Sequence, residues 1–213
     1  MKKFGLILIV VLMATGAILV YAAPKPAIVQ KPFQWTLDTK YANPQQISIK
    51  LPGEKTKTRF WYTIITLTNN TKSDADFYPE CALATDTFQL IPAGKKVPRI
   101  VFEKIKNRHR RKYPFLESLE TTENRVLQGI DNARDIVIIW PDFDSRTKSI
   151  KLFVAGLSNE IATVKHPAKV DEDGKPAEIY LRKTLELTYN ISGDPAYRSR
   201  TKLKFKAKNW IMR

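Results

Sequence analysis

Alternation of apolar and polar side chains runs through most of this chain. Residues 33–37 (FQWTL) alternate, and Ile47, Ile49 and Leu51 repeat the pattern. Period two places such residues on one face of a β-strand. Residues 60–68 (FWYTIITLT) are aromatic and β-branched, the composition of a central strand, and Asn69, Asn70 and Thr71 supply a turn after it. Phe77-Tyr78 and residues 82–89 predict two further short strands. Turn signals recur every 8–12 residues, the spacing of a β-sandwich.

The pattern breaks once. Pro98 suits the first turn of a helix, and Ile100, Val101, Ile105 and His109 fall near one helical face before Pro114 ends it. Residues 115–128 carry mixed signals that admit a second short helix. Strands then resume. Residues 136–140 (IVIIW) form an unbroken apolar run suited to burial on both faces, and residues 141–145 turn it back into a strand at 149–155. Residues 178–189 and 197–210 predict two more strands, the first separated from its predecessor by 165–176 with its Asp171-Glu172-Asp173-Gly174 turn. The total is eight to ten strands, one or two helices and no fixed-period repeat. The expected fold is mainly β, a single sandwich domain over 32–213 with a short helical insertion near 98–112.

The N-terminus has a different pattern. Lys2 and Lys3 precede an uncharged run from Phe4 to Tyr21, and Val20-Tyr21-Ala22 offers a signal-peptidase site. Cleavage after Ala22 is favoured over Ala23, which would leave Pro24 at the first mature position. The run is about 18 residues, close to a membrane span, so residues 4–22 also fit an uncleaved anchor with its lysines on the cytoplasmic side. Both readings of 1–22 export the rest of the chain, to the periplasm or cell envelope. Neither places a cysteine near the cleavage zone, as a lipoprotein would need. Residues 23–31, with Pro24, Lys25 and Pro26, read as an extended spacer.

Charge narrows the partners. The chain of 213 residues has 36 Lys+Arg against 21 Asp+Glu, and loss of residues 1–22 would lower its formal charge from +15 to +13 over 191 residues. Such an excess favours anionic partners. Outside the cytoplasm these are polysaccharide, lipid headgroups or acidic protein, and nucleic acid becomes the least favoured. One cysteine and two histidines exclude a disulfide framework and the common Cys/His zinc sites. No cofactor motif is legible.

Four segments, 61–71 (WYTIITLTNNT), 154–160 (VAGLSNE), 181–189 (LRKTLELTY) and 210–213 (WIMR), resemble those of a group of exported bacterial proteins of uncharacterised function. The resemblance implies export and an immunoglobulin-like β fold. It implies no activity and no catalytic residue.

Two basic segments are the candidate sites. Lys104, Lys106, Arg108, Arg110, Arg111 and Lys112 put six fixed positive charges, with His109 among them, into nine residues. They could hold phosphate, carboxylate or sulfate, Arg bidentately, or simply solvate a helix end whose dipole also favours cations. In the second segment Arg198, Arg200, Lys202, Lys204, Lys206 and Lys208 occupy every second position. In a strand all six would share one face, as a stripe for an anionic polymer or as an edge charged against aggregation. Asp142 and Asp144 could begin a calcium loop but lack its glycine and distal acid, so a hairpin turn is expected. Cys81 reads as a small buried side chain. Ser158 lacks the second glycine of a nucleophile elbow, and no Walker loop or H-E-x-x-H occurs. A non-catalytic envelope module with a basic surface is the expected function, and a small hydrolase with sequence-distant acids the alternative.

Overall fold

The structure, a computed structural model, describes residues 23–27 and 31–213. The expected leader or anchor over 1–22 and residues 28–30 of the spacer lie outside the described residues. The described chain is mainly β. Among its thirteen strands, nine have four or more residues, and the others are pairings of two or three. The first large sheet joins β1 (Asp38–Tyr41), β2 (Gln45–Lys50), β3 (Lys57–Asn69), β9 (Gly129–Pro141) and β7 (Glu117–Ser118). The second joins β11 (Ile161–Val170), β12 (Pro176–Ile191), β10 (Ser149–Ala155), β5 (Glu80–Thr85) and β6 (Leu90–Pro92), with β13 (Leu203–Met212) on β12. A two-stranded sheet pairs β4 (Ala75–Asp76) with β8 (Arg125–Val126). One helix, α1 (Arg99–His109), and a 3-10 helix, Pro195–Arg200, complete the described residues.

Alternation along β3 and β9 divides the interior. Trp61, Ile65 and Leu67 of β3 and Ile136, Ile138 and Trp140 of β9 meet Leu152, Val154, Leu185, Leu187 and Tyr189 of the second sheet in one core. The intervening Phe60, Tyr62, Ile64, Val137 and Ile139 meet Val101 and Ile105 of α1 in another. The first sheet is therefore covered on both faces, which is why 60–68 and 136–140 are nearly continuous in apolar residues. Trp61 and Trp140 are essentially inaccessible, and truncating a core tryptophan to alanine costs about 3–5 kcal/mol.

Several local expectations need correction. Residues 33–37 make only an isolated bridge, Thr36 to Ser158, and the strand starts at Asp38. Phe77 and Tyr78 follow β4 without joining a strand. Residues 115–128 form β7, β8 and turns, with no second α-helix, because Leu116 and Val126 are drawn separately into the two cores. The chain from β9 does not fold back as a hairpin at 141–145, since β9 and β10 lie in different sheets and the loop crosses between them. The loop after β11 is short. Its Asp171 side chain accepts from the Asp173 and Lys175 amides at 3.1 and 2.8 Å, and the strand reaches Val170. None of the helices of the described residues is long and apolar enough to cross a membrane.

The spacer is tied down at Ala27, whose N–H donates to Glu160 Oε1 at 2.7 Å. Glu160 Oε2 in turn lies 2.9 Å from Lys183 Nζ, both side chains being under a tenth exposed. At Gly156, φ is +90° and a Cβ would sit 2.5 Å from the Tyr78 carbonyl oxygen. Only glycine satisfies both constraints there.

Candidate anion-binding surface

The first basic segment spans the last two turns of α1 and the turn beyond it. Lys104, Arg108, Arg110, Arg111 and Lys112 are exposed, while Lys106 lays its stem against the helix with Nζ 5.7 Å above the Phe102 ring. Residues 107–112 line a depression of about 350 Å³. The side chains that fix this end are polar and inward. Arg108 Nη1 donates to Tyr62 Oη and to the Gln46 carbonyl, each at 3.3 Å. The Tyr62 hydroxyl donates to Gln45 Oε1 at 3.1 Å and lies 2.9 Å from His109 Nε2. With the hydroxyl proton given to Gln45, His109 serves as an Nε2–H donor. Burial holds its imidazole below the usual pKa, helped by the charges of Arg108 and Lys112. Burial likewise pushes the Tyr62 phenol up, with Arg108 opposing.

The second basic segment is not the strand face that its spacing predicts. Arg198 and Arg200 lie on the 3-10 helix, and Lys202 precedes β13. Pro195 and the Asp194 cap, whose Oδ1 accepts from Ala196 N–H at 2.8 Å, start that helix and override the alternation. Arg198 is only 5% exposed. Its Nη2 donates to the Ser145 carbonyl and, at 2.9 Å, to the Thr147 carbonyl, and its guanidinium covers the Phe143 ring at 5.8 Å. Burial lowers its pKa, opposed chiefly by Asp142. It is a structural clamp on the 145–147 loop and is withdrawn from the surface.

Within β13 a bulge breaks the stripe again. Thr188 faces Ala207 but Tyr189 faces Phe205, so Lys206 is an extra residue. A bulge shifts the phase of every side chain beyond it. Lys204, opposite Asn190, points away from the core, whereas Lys208 stands opposite core residue Leu187 and its Nζ lies 5.7 Å over Tyr41 of the facing sheet. Lys206 sits at the bulge. The six charges are thus distributed over a helix, a connector and two faces of a strand.

What the tertiary structure does bring together is Arg108 and the 198–202 segment, through Gln46. The Gln46 Nε2 amide donates to the Arg198 carbonyl at 2.8 Å and to the Thr201 carbonyl at 3.1 Å, while its backbone carbonyl accepts from Arg108. Beside this junction residues 43–46 and 199–203 form the two walls of a groove of about 430 Å³, with Arg200 and Lys202 on one wall. Nothing in the sequence marks Asn43, Gln45 or Gln46 for this role. They differ from any polar strand start only in what faces them.

The other candidates have structural partners. Asp142 accepts from Trp61 Nε1 at 2.7 Å and pairs with Arg59 at 3.5 Å. Hydrogen bonds from Arg146 hold the Asp144 carboxyl down to about 2. No group of three or more potential metal ligands occurs among the described residues. Cys81 lies in the inter-sheet core, where burial pushes its thiol up to about 12. Ser158 donates to the Trp35 carbonyl at 2.6 Å. Two Ser-x-x-Lys tetrads, Ser145–Lys148 and Ser199–Lys202, straddle a loop and a helix end, and neither serine hydroxyl meets its lysine. No family model, curated protein or solved structure matches the chain.

Proposed function

We propose that this chain is an exported, non-catalytic module of the cell envelope, an immunoglobulin-like sandwich that binds anionic partners through the basic surface around Gln46. The observation that carries the reading is the Gln46 junction. Gln46 bonds both to Arg108 at the cationic end of α1 and to the connector bearing Arg200 and Lys202, residues about 90 positions apart in sequence, with a groove beside the connector. Concave, one-sign surfaces concentrate counter-charged ligands. The two-sheet core with its inter-sheet crossover supports the sandwich, and the uncharged run after Lys2 and Lys3 supports export. A hydrolase of the glycosidase kind would need two carboxylates across a cleft. The cavity between Val97, Phe102, Glu120 and Ile139, the depression at 107–112 and the groove of 43–46 with 199–203 contribute one carboxylate between them, Glu120.

Retention on an immobilised polyanion tests the reading. Screening lengths fall from roughly 10 Å at 0.1 M salt to about 3 Å at 1 M, so retention declines steeply over that range. Replacing Arg110, Arg111 and Lys112 with Ser, or Arg200, Lys202 and Lys204 with Ser, lowers retention while the unfolding midpoint stays near the parent's. Parent-like retention by both variants overturns the proposal. Export is checked by mass spectrometry of fractionated cells. The mature chain begins at Ala23 or stays membrane-bound through 4–22, and a full-length soluble cytoplasmic protein refutes both.

A further inference from the structure

We infer that the groove between residues 43–46 and 199–203 takes a linear carboxylated polysaccharide; this rests on the anion-binding reading above and narrows its ligand. The groove carries two kinds of group. Arg200 and Lys202 supply fixed positive charge, and Asn43 and Ser199 supply a neutral amide and a hydroxyl. Gln45 Oε1 already accepts from Tyr62, Thr201 Oγ1 donates to the Tyr197 carbonyl, and Pro44 and Leu203 are apolar. Amides and hydroxyls both donate and accept, whereas a phosphate or carboxylate group only accepts. A ligand that meets both kinds of group carries hydroxyls as well as carboxylates, which is the chemistry of a uronic-acid chain.

Other anions fit this groove less well. An acidic peptide would gain most by adding a strand to a free sheet edge. On the 198–201 wall the main chain offers little for that, because the Arg198 and Thr201 carbonyls already accept from Gln46 Nε2 and the Thr201 N–H is bonded to the Arg198 carbonyl. A headgroup array on a lipid surface meets convex cations more readily than recessed ones, and the recess has two walls fixed to each other by Gln46. A linear chain can lie along it. The volume of about 430 Å³ is within the usual range for small-ligand sites, roughly 300–1,000 Å³. The same 3-10 helix leaves the Tyr197 ring 65% exposed, a flat apolar surface that a sugar ring can cover.

The experiment measures binding of the protein, expressed at full length, to an end-labelled galacturonate oligomer by anisotropy at 0.15 M salt. Poly-glutamate of equal charge, a neutral dextran oligomer and phosphatidylglycerol vesicles are the competitors. The galacturonate oligomer is expected to bind at least about tenfold tighter than poly-glutamate. Substituting Arg200→Gln with Lys202→Gln weakens it by at least about tenfold. Asn43→Ala and Ser199→Ala each weaken it by about fivefold, one hydrogen bond each, and leave poly-glutamate binding unchanged. If poly-glutamate or the vesicles bind as tightly as galacturonate, or if Asn43→Ala and Ser199→Ala change nothing, the polysaccharide assignment falls and the general anion surface stands. If none of these anions binds, both fall.

Discussion

Replacing Lys183 by Met breaks the most buried ion pair among the described residues, and the structure sets the size of the effect. Lys183 and Glu160 are 8% and 7% exposed at the side chain, with Nζ and Oε2 2.9 Å apart. Removing one partner of such a pair costs about 3–5 kcal/mol, because the other charge stays in a low-dielectric site. Glu160 keeps the Ala27 N–H at 2.7 Å, which places the expected loss near the lower end, about 3–4 kcal/mol. The lost contact of Nζ with the Trp210 ring at 5.4 Å adds to it. Glu160→Gln keeps only one of the two contacts, since Ala27 and Lys183 bond different carboxylate oxygens and the amide has one. Lys183 also loses its counter-charge, so a loss of about 3 kcal/mol is expected. The double variant no longer holds a lone charge, so its loss falls short of the sum of the singles by at least about 1.5 kcal/mol. Urea unfolding with linear extrapolation reads all four proteins. A Lys183→Met loss below about 1 kcal/mol, or additivity within about 0.5 kcal/mol, refutes the reasoning. Acid provides a second readout. Burial raises the Glu160 pKa, but the Ala27 amide and then Lys183 outweigh it, and the carboxyl ends below its usual range. Its stabilising contribution is complete above the unfolded value of about 4.3 and disappears as pH falls through that value to the folded one. The parent therefore loses more stability than Glu160→Gln between about pH 5 and 3.

Three shorter predictions concern other positions. Gly156→Ala places a Cβ 2.5 Å from the Tyr78 carbonyl at φ +90°, and a loss of at least about 2 kcal/mol is expected in the same unfolding assay. Gln46→Ala removes two hydrogen bonds that hold the groove walls, about 1–2 kcal/mol in stability, and should raise hydrogen exchange at the Thr201 amide before that of the core strands. His109 has a pKa held below its unfolded value of about 6.5. The unfolded chain binds the extra proton first, so stability declines as pH falls from about 6.5 toward the folded value, and His109→Gln flattens that slope in thermal scans at pH 7.5 and 5.5.

How much of this was legible depends on the range of the interaction concerned. Local pattern reveals the mainly β class, α1 between Pro98 and Pro114, and the double burial of 136–140, because a strand buried on both faces has no polar side to alternate with. Pattern fails where a local signal has a tertiary competitor. Alternation across 197–208 predicts one face, yet a proline start, an aspartate cap and a bulge redistribute its six charges, and hydrogen bonds to the Ser145 and Thr147 carbonyls hold Arg198 inward. Residues 141–145 read as a hairpin because a turn signal specifies reversal and not which sheet receives the next strand. The sequence by itself determined the charge, the secondary-structure class and which residues could be cationic. Only the tertiary structure decided which of those cations share a surface, since Gln46 meets Arg108 and Thr201 through hydrogen bonds spanning 62 and 155 residues, and no periodicity along a chain encodes a contact of that separation.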